Sequence, residues 1–129
     1  MIYLDTSAAL KLVLPEPETP ALELWIAGQA SLPRVSSRLL RIELLRAVAR
    51  NAPHRMSRAH VVLAAVALLG MDDAAPAAEM IGEPSLRSLD AIHLATAHGI
   101  RTELTAFVCY DKRLCESARA AGLPVEAPS

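Results

Sequence analysis

Short apolar runs that stop at an acid or a hydroxyl residue alternate along this chain with longer stretches repeating every three or four positions. Met1 to Leu4 is the first such run, and Asp5-Thr6-Ser7 ends it in a turn, which predicts a buried strand. Ala8 to Leu14 then reads as a short helix stopped by Pro15, and Pro15, Pro17 and Pro20 mark a loop. Thr19 is placed to cap a helix over Ala21 to Ala27, with Pro20 at its first position and Gly28 as its stop. Leu32 to Val35 predicts a second strand, and Ser36 or Ser37 a cap for a longer helix reaching about Arg50. Asn51 to Pro53 ends it, and Ser57 opens a further helix expected to stop at Gly70. Met71 to Pro76 has no clear period and reads as a short third strand or none. Ala77 to Ile81 is helical up to Gly82, and Ser88 caps a helix over Leu89 to His98 that stops at Gly99. Leu104 to Tyr110 is a β-leaning run that stops at Asp111. Lys112 to Ala121 is a helix closed by Gly122, and Leu123 to Val125 predicts an edge strand.

Strands alternating with helices predict βα units, hence an α/β fold with a parallel sheet covered on both faces. The 129 residues suit a single domain spanning 1–129. With 53% hydrophobic and 21% charged residues, the chain is neither disordered nor fibrous. The longest uncharged apolar run, Val61 to Met71, is too short for a membrane helix. Met1 to Leu14 carries Asp5 and Lys11 and makes a poor secretory signal. Cys109 and Cys115 have neither metal-knuckle nor redox spacing, which fits reduced cysteines and a cytoplasmic location.

The candidate chemistry is acidic. Sites in parallel sheets lie at the carboxyl ends of strands, where Asp5 and Asp111 both fall. Each is also a good helix cap. Glu43 lies on or beside the apolar stripe of Leu40, Leu44, Ala47 and Val48, where a carboxylate needs a partner. Arg46 and Arg50 are the plain candidates for that pairing. Asp90 follows the Ser88 cap by two residues, with Arg87 and His93 three residues to either side. Carboxylates converging to about 5 Å repel by roughly 3 kcal/mol per pair at an effective dielectric near 20. Such a cluster takes up protons or binds a cation. All-oxygen ligands favour Mg²⁺ or Mn²⁺ over zinc, and such an ion suits phosphodiester hydrolysis.

These segments resemble the PIN-domain family of metal-dependent ribonucleases, and within it the VapC toxins of type II toxin–antitoxin systems. The opening stretch from Met1 through Asp5 to Leu12 is similar to the family's first motif, and Arg41-Ile42-Glu43-Leu44-Leu45-Arg46-Ala47 to its second. Leu89-Asp90-Ala91-Ile92-His93-Leu94-Ala95-Thr96-Ala97 resembles the third, and Tyr110-Asp111-Lys112-Arg113-Leu114 the fourth. Four motifs in family order are far more specific than any one of them. The resemblance implies a three-layer αβα sandwich with a short, mostly parallel sheet, and an Mg²⁺- or Mn²⁺-dependent endoribonuclease acting as a toxin. It implies that Asp5, Glu43, Asp90 and Asp111 form a catalytic and metal-binding quartet, with Asp5 and Asp90 as the direct ligands. Ser7 would hydrogen-bond within that site. A homodimer and a small VapB-type antitoxin partner also come with the resemblance.

Net charge is −1, without the positive footprint expected of a nucleic-acid binder. Seven of the eleven arginines nevertheless fall between Arg34 and Arg58. Arg38, Arg41, Arg46 and Arg50 flank Glu43, while Lys112 and Arg113 follow Asp111. Arg46, Lys112 and Arg113 are the candidates for RNA phosphates, against a plain reading as solvated helix faces. Only four aromatic residues are present, and Tyr3 and Phe107 are expected in the core, so no base-stacking platform is expected. Lys11 is expected to snorkel from an apolar helix, and His93 to pack or to pair with Asp90. Asp72 and Asp73 read as caps outside the site. Two other classes compete with the nuclease. One is a PIN-like module that binds RNA or protein without cleaving. The other is an aspartyl-phosphate phosphatase, disfavoured because Ser7 stands where its second Asp belongs.

Overall fold

In the computed structural model, which describes residues 1–129, the first strand lies at the centre of the sheet. That strand, β1 (Ile2–Leu4), pairs on one side with β2 (Arg34–Ser37) and on the other with β4 (Ala106–Val108). β3 (Ala67–Leu69) extends the sheet beyond β2, and β5 (Val125–Glu126) extends it beyond β4. All four pairings are parallel, and the order is β3-β2-β1-β4-β5. The expected mostly parallel sheet is thus wholly parallel.

Side-chain alternation along β1 divides the core in two. Ile2 and Leu4 face a cluster supplied by α1 (Thr6–Val13), α2 (Thr19–Gly28), α3 (Leu39–Asn51) and α4 (Met56–Ala64). Leu22, Leu40, Leu44, Val48, Val62 and Leu63 fill it. A single 3₁₀ turn, Pro53–Arg55, joins α3 to α4. Tyr3 points the other way, into a second cluster with Val35, Leu94, Phe107, Leu114 and Leu123. Its ring stacks on Phe107 with centroids 5.2 Å apart. α6 (Ser88–Gly99) and α7 (Lys112–Ala120) cover that face, and the short α5 (Ala75–Ala78) packs against α6. Two helical layers around a parallel sheet give the expected αβα sandwich.

Several boundaries depart from expectation. The helix from Ser57 does not reach Gly70; α4 ends at Ala64, and the residues beyond it form β3. A continuous apolar run carries no period to separate buried helix from buried strand, so two elements inside Val61 to Met71 read as one. The third strand therefore lies before Met71–Pro76. The second strand sits two residues later than expected, so Ser36 and Ser37 belong to it. Ser36 Oγ donates to the Leu4 carbonyl at 2.6 Å, a bond between strands. Ser37 Oγ still accepts from Leu39 N at 3.2 Å, and so serves α3 from inside the sheet. Neither Thr19 nor Ser88 is a cap: each is the first residue of its helix, behind Glu18 and Arg87.

Lys11 does not snorkel to water. It is buried, and its Nζ pairs with Glu16 and, at 2.9 Å, with Glu18, while lying 4.8 Å from the centre of the Tyr110 ring. Burial alone would lower its pKa, but hydrogen bonds to Glu16 and Glu18 outweigh this and raise it. The pairing fixes the proline loop between α1 and α2.

Leu44→Ala is expected to cost about 2–5 kcal/mol, because Leu44 is fully buried where α3 meets the sheet. Leu24→Ala, at a side chain 77% exposed, is expected to change stability by under about 0.5 kcal/mol. Urea unfolding of the two variants checks the pair.

Candidate active site

The carboxyl edge of the sheet gathers all four acids named above. Asp5 leaves β1 directly and caps α1: its Oδ2 accepts from Ser7 N at 3.0 Å and Ser7 Oγ at 2.6 Å. The same Ser7 Oγ accepts from Tyr110 N at 2.9 Å, tying the end of β1 to the segment after β4. Ser7 thus makes the hydrogen bond expected of it. Asp111 caps α7, with Oδ1 accepting from Leu114 N at 2.9 Å. The cap readings of Asp5 and Asp111 both hold, and each uses only one carboxylate oxygen.

Glu43 is not paired with Arg46 or Arg50. Its Oε1 accepts from Thr6 Oγ1 at 2.7 Å and lies 2.6 Å from His93 Nε2. His93 is only 1% exposed, and its other nitrogen, Nδ1, lies 2.7 Å from the Tyr3 hydroxyl. Tyr3 in turn accepts from Ser37 N at 3.0 Å. With a neutral ring the tyrosine donates to Nδ1, so Nε2 carries the proton and donates to Glu43. His93 therefore partners Glu43 rather than Asp90. One chain of hydrogen bonds thereby links β2, β1, α6 and α3.

Burial by itself would lift the Glu43 pKa, but the bonds from His93 and Thr6 outweigh it and hold the group below its ordinary range. For His93, burial acts downward, yet Glu43 and the nearby charges of Asp5 and Asp90 leave its pKa raised. Burial also pushes Asp90 upward, with the Asp5 and Asp111 charges adding to it and Arg87 opposing. The acids therefore sense one another across the pocket.

Asp90 and Asp111 share a cation. Arg87 Nε donates to Asp90 Oδ2 at 3.0 Å, and its Nη2 to Asp111 Oδ2 at 3.4 Å. The acids thus stand as two pairs, Asp5 with Glu43 beside His93, and Asp90 with Asp111 beneath Arg87. As placed, no three acidic, His or Cys side chains are drawn together tightly enough to hold an ion. The donor set nonetheless suits a hard cation. Asp5 Oδ1, Glu43 Oε2 and Asp90 Oδ1 make no hydrogen bond, and Asp111 Oδ2 bonds only to Arg87. Asp5, Glu43 and Asp90 are thus each oriented through one oxygen and keep the other unbonded, while the second oxygen of Asp111 is held only by the exposed Arg87. Four carboxylates against one permanent cation leave a negative excess that a divalent ion relieves.

Arg46, Lys112 and Arg113 are exposed and form no ion pair with these acids. Asp72 and Asp73 are exposed and belong to no part of the pocket. Thr6, Tyr3 and Cys109 join the site without having been foreseen. Cys109 Sγ lies 3.7 Å from Asp5 Oδ2. For Tyr3 the available signal is its hydroxyl, which needs a partner inside a buried strand. For Thr6 it is a hydroxyl lodged between Asp5 and Ser7.

Comparison with known proteins bears on the family and the fold. Residues 2–120 match the PIN domain family model. The chain is 45% identical to Ribonuclease VapC47 of Mycobacterium tuberculosis over 132 residues, covering 99% of this chain and 97% of that protein. Among solved structures, it is similar to the sarcin–ricin loop cleaving toxin VapC20 of M. tuberculosis, with a TM-score of 0.72 at 18% identity, covering 99% and 100% of the two chains. It is also similar to VapBC2 from Rickettsia felis bound to a promoter DNA fragment, with a TM-score of 0.72, 14% identity and complete coverage of both chains. At such identities the structural matches speak for the fold alone.

Since no buried side-chain nitrogen or oxygen lacks a partner, His93→Leu would strand the groups His93 now satisfies. It is expected to destabilise the metal-free protein by about 2–4 kcal/mol in urea unfolding. The penalty should depend on pH. The raised His93 pKa gives stability that is complete below its unfolded value near 6.5 and lost as pH rises through the folded value. The lowered Glu43 pKa gives stability that is complete above 4.5 and lost as pH falls through the folded value. The difference between wild type and variant is therefore expected to be largest between pH 4.5 and 6.5.

Proposed function

The chain belongs to the PIN-domain family, and on that premise we propose that it is an endoribonuclease toxin of a VapBC-type toxin–antitoxin system. The observation that carries the reading is the gathering of the four acids. Four carboxylates from four separated segments meet at the sheet edge; Asp5, Glu43 and Asp90 are each held through one oxygen with the other unbonded, and Asp111 gives its second oxygen only to the exposed Arg87. Ribonucleases of this family depend on divalent metal ions. For this chain we assign Mg²⁺ or Mn²⁺, because the available donors are all carboxylate oxygens. Asp5 and Asp90 would be the direct ligands, with Glu43 and Asp111 completing the set. A bound divalent ion would supply positive charge to the scissile phosphate and acidify a nearby water.

The protein's own contribution is to keep the acids in place. Ser7 aligns Asp5, and Thr6 with His93 aligns Glu43 and keeps it ionised. The Leu114 amide aligns Asp111. The reaction is hydrolysis: water adds to phosphorus as the bond to one ribose oxygen breaks. Arg46, Lys112 and Arg113, exposed on α3 and α7, would engage flanking phosphates.

A VapB-type antitoxin is the partner this reading implies, and a homodimer the assembly. The exposed side chains of Ile42, Met80 and Leu89 supply apolar surface for such contacts. No helix is long and apolar enough to cross a membrane, and we place the toxin in the cytoplasm.

Asp5→Asn and Asp90→Asn are each expected to lower RNA cleavage by about a hundredfold or more, since both would be direct ligands. Circular dichroism should show both variants folded. Wild-type cleavage rates in the folded variants would overturn the assignment. Mn²⁺ at about a hundred times its dissociation constant is expected to stabilise the wild type by roughly 2.7 kcal/mol, and EDTA to reverse both this and the activity. Thermal melts with and without chelator provide the check.

A further inference from the structure

Arg87 lies outside all four motif segments, yet it is the one arginine or lysine that touches the acids. It stands at the N-cap of α6 with extended backbone, φ −63° and ψ 147°. Its side chain is 69% exposed, whereas that of Asp90 beneath it is 14% exposed. The guanidinium therefore lies on the solvent side of the two acids. Its only side-chain hydrogen bonds are those to Asp90 and Asp111. No core contact would be broken if it swung away.

Asp111 has no free oxygen, since Oδ1 accepts from Leu114 N and Oδ2 from Arg87, and a metal ion brought beside the guanidinium would repel it. A divalent ion can reach Asp90 through its free Oδ1, but to draw in Asp111 it must compete for the oxygen that the guanidinium now holds. The freed group would remain tethered at the mouth of the pocket through the backbone at the start of α6. A guanidinium in that place has one strong class of partner in a nuclease, the phosphate of the incoming strand, whose oxygens match its planar fork.

Resting on the metal-nuclease reading above, we propose that Arg87 is a displaceable counter-ion of the site. It neutralises Asp90 and Asp111 while the divalent ion is absent, gives them up when the ion arrives, and then binds an RNA phosphate. Metal and RNA binding are thereby coupled, each strengthening the other through one side chain.

Isothermal titration with Mn²⁺ compares wild type with Arg87→Ala. The variant is expected to bind Mn²⁺ about three- to fivefold tighter, the change that loss of one exposed ion pair permits. A mixed-sequence 2′-O-methyl RNA, which resists cleavage, is then titrated with and without Mn²⁺. Mn²⁺ should strengthen RNA binding in wild type and do so clearly less in the variant. Unchanged or weaker Mn²⁺ affinity in Arg87→Ala, with wild type binding the ion, overturns the competition alone. An undiminished effect of Mn²⁺ on RNA binding overturns the transfer to phosphate. If neither protein binds Mn²⁺, the metal-nuclease reading falls and this inference with it.

Discussion

An imidazole sealed from water must find partners for both its nitrogens within the protein, and His93 sets much of this structure by that requirement. One nitrogen meets Tyr3, the only polar side-chain group in β1, and the other meets Glu43 on α3. Tyr3 is held in turn by the backbone at the end of β2. α6 is thereby fixed against the central strands and against the helix on the far side of the strand ends. Asp90 lies one helical turn before His93, and Asp5 two residues after Tyr3. The ring thus holds Glu43 directly and sets how α6 and β1, which carry Asp90 and lead into Asp5, meet. Fold and site share a single constraint.

Crowded carboxylates oppose folding, and each is tolerated here by a different means. Asp5 and Asp111 sit at helix N-termini, where backbone amides and the helix dipole favour negative charge. Glu43 relies on a hydroxyl and an imidazole, and Asp90 on a guanidinium. None of these arrangements occupies both oxygens of any carboxylate with the permanent scaffold. The molecule therefore folds with its acids oriented but still short of positive charge, a state suited to receiving a hard cation.

Much of this was legible in the sequence, because the strongest signals were local. The stops at Asp5 and Asp111 marked strand ends and helix starts together, and the cap reading of each leaves one carboxylate oxygen outside the cap. Glu43 stood out because it interrupted an apolar stripe. Its partner was not legible: periodicity along α3 pointed to Arg46 and Arg50, while Thr6 and His93 arrive from other elements. β3 was hidden because Val61 to Met71 is apolar throughout, and the helix-to-strand change inside it depends on pairing with β2. The position of β2 was obscured by its two serines. They resemble caps in isolation but are buried and bonded between strands and to α3.

The means of support also divide the site mechanically. Asp5 and Asp111 are placed by backbone amides at the ends of buried strands, so they move only if the sheet edge moves. Glu43 is held by side chains that are themselves buried or half-buried, and it has little more freedom. Asp90 differs, because its one bond runs to an exposed arginine on a loop. The acid cluster therefore has three firmly held members and one adjustable one. The adjustable member faces solvent, the side from which a large polyanionic substrate must approach. Rigidity is thus invested in three of the four acids, and freedom is kept at Asp90, whose one side-chain bond runs to the exposed Arg87.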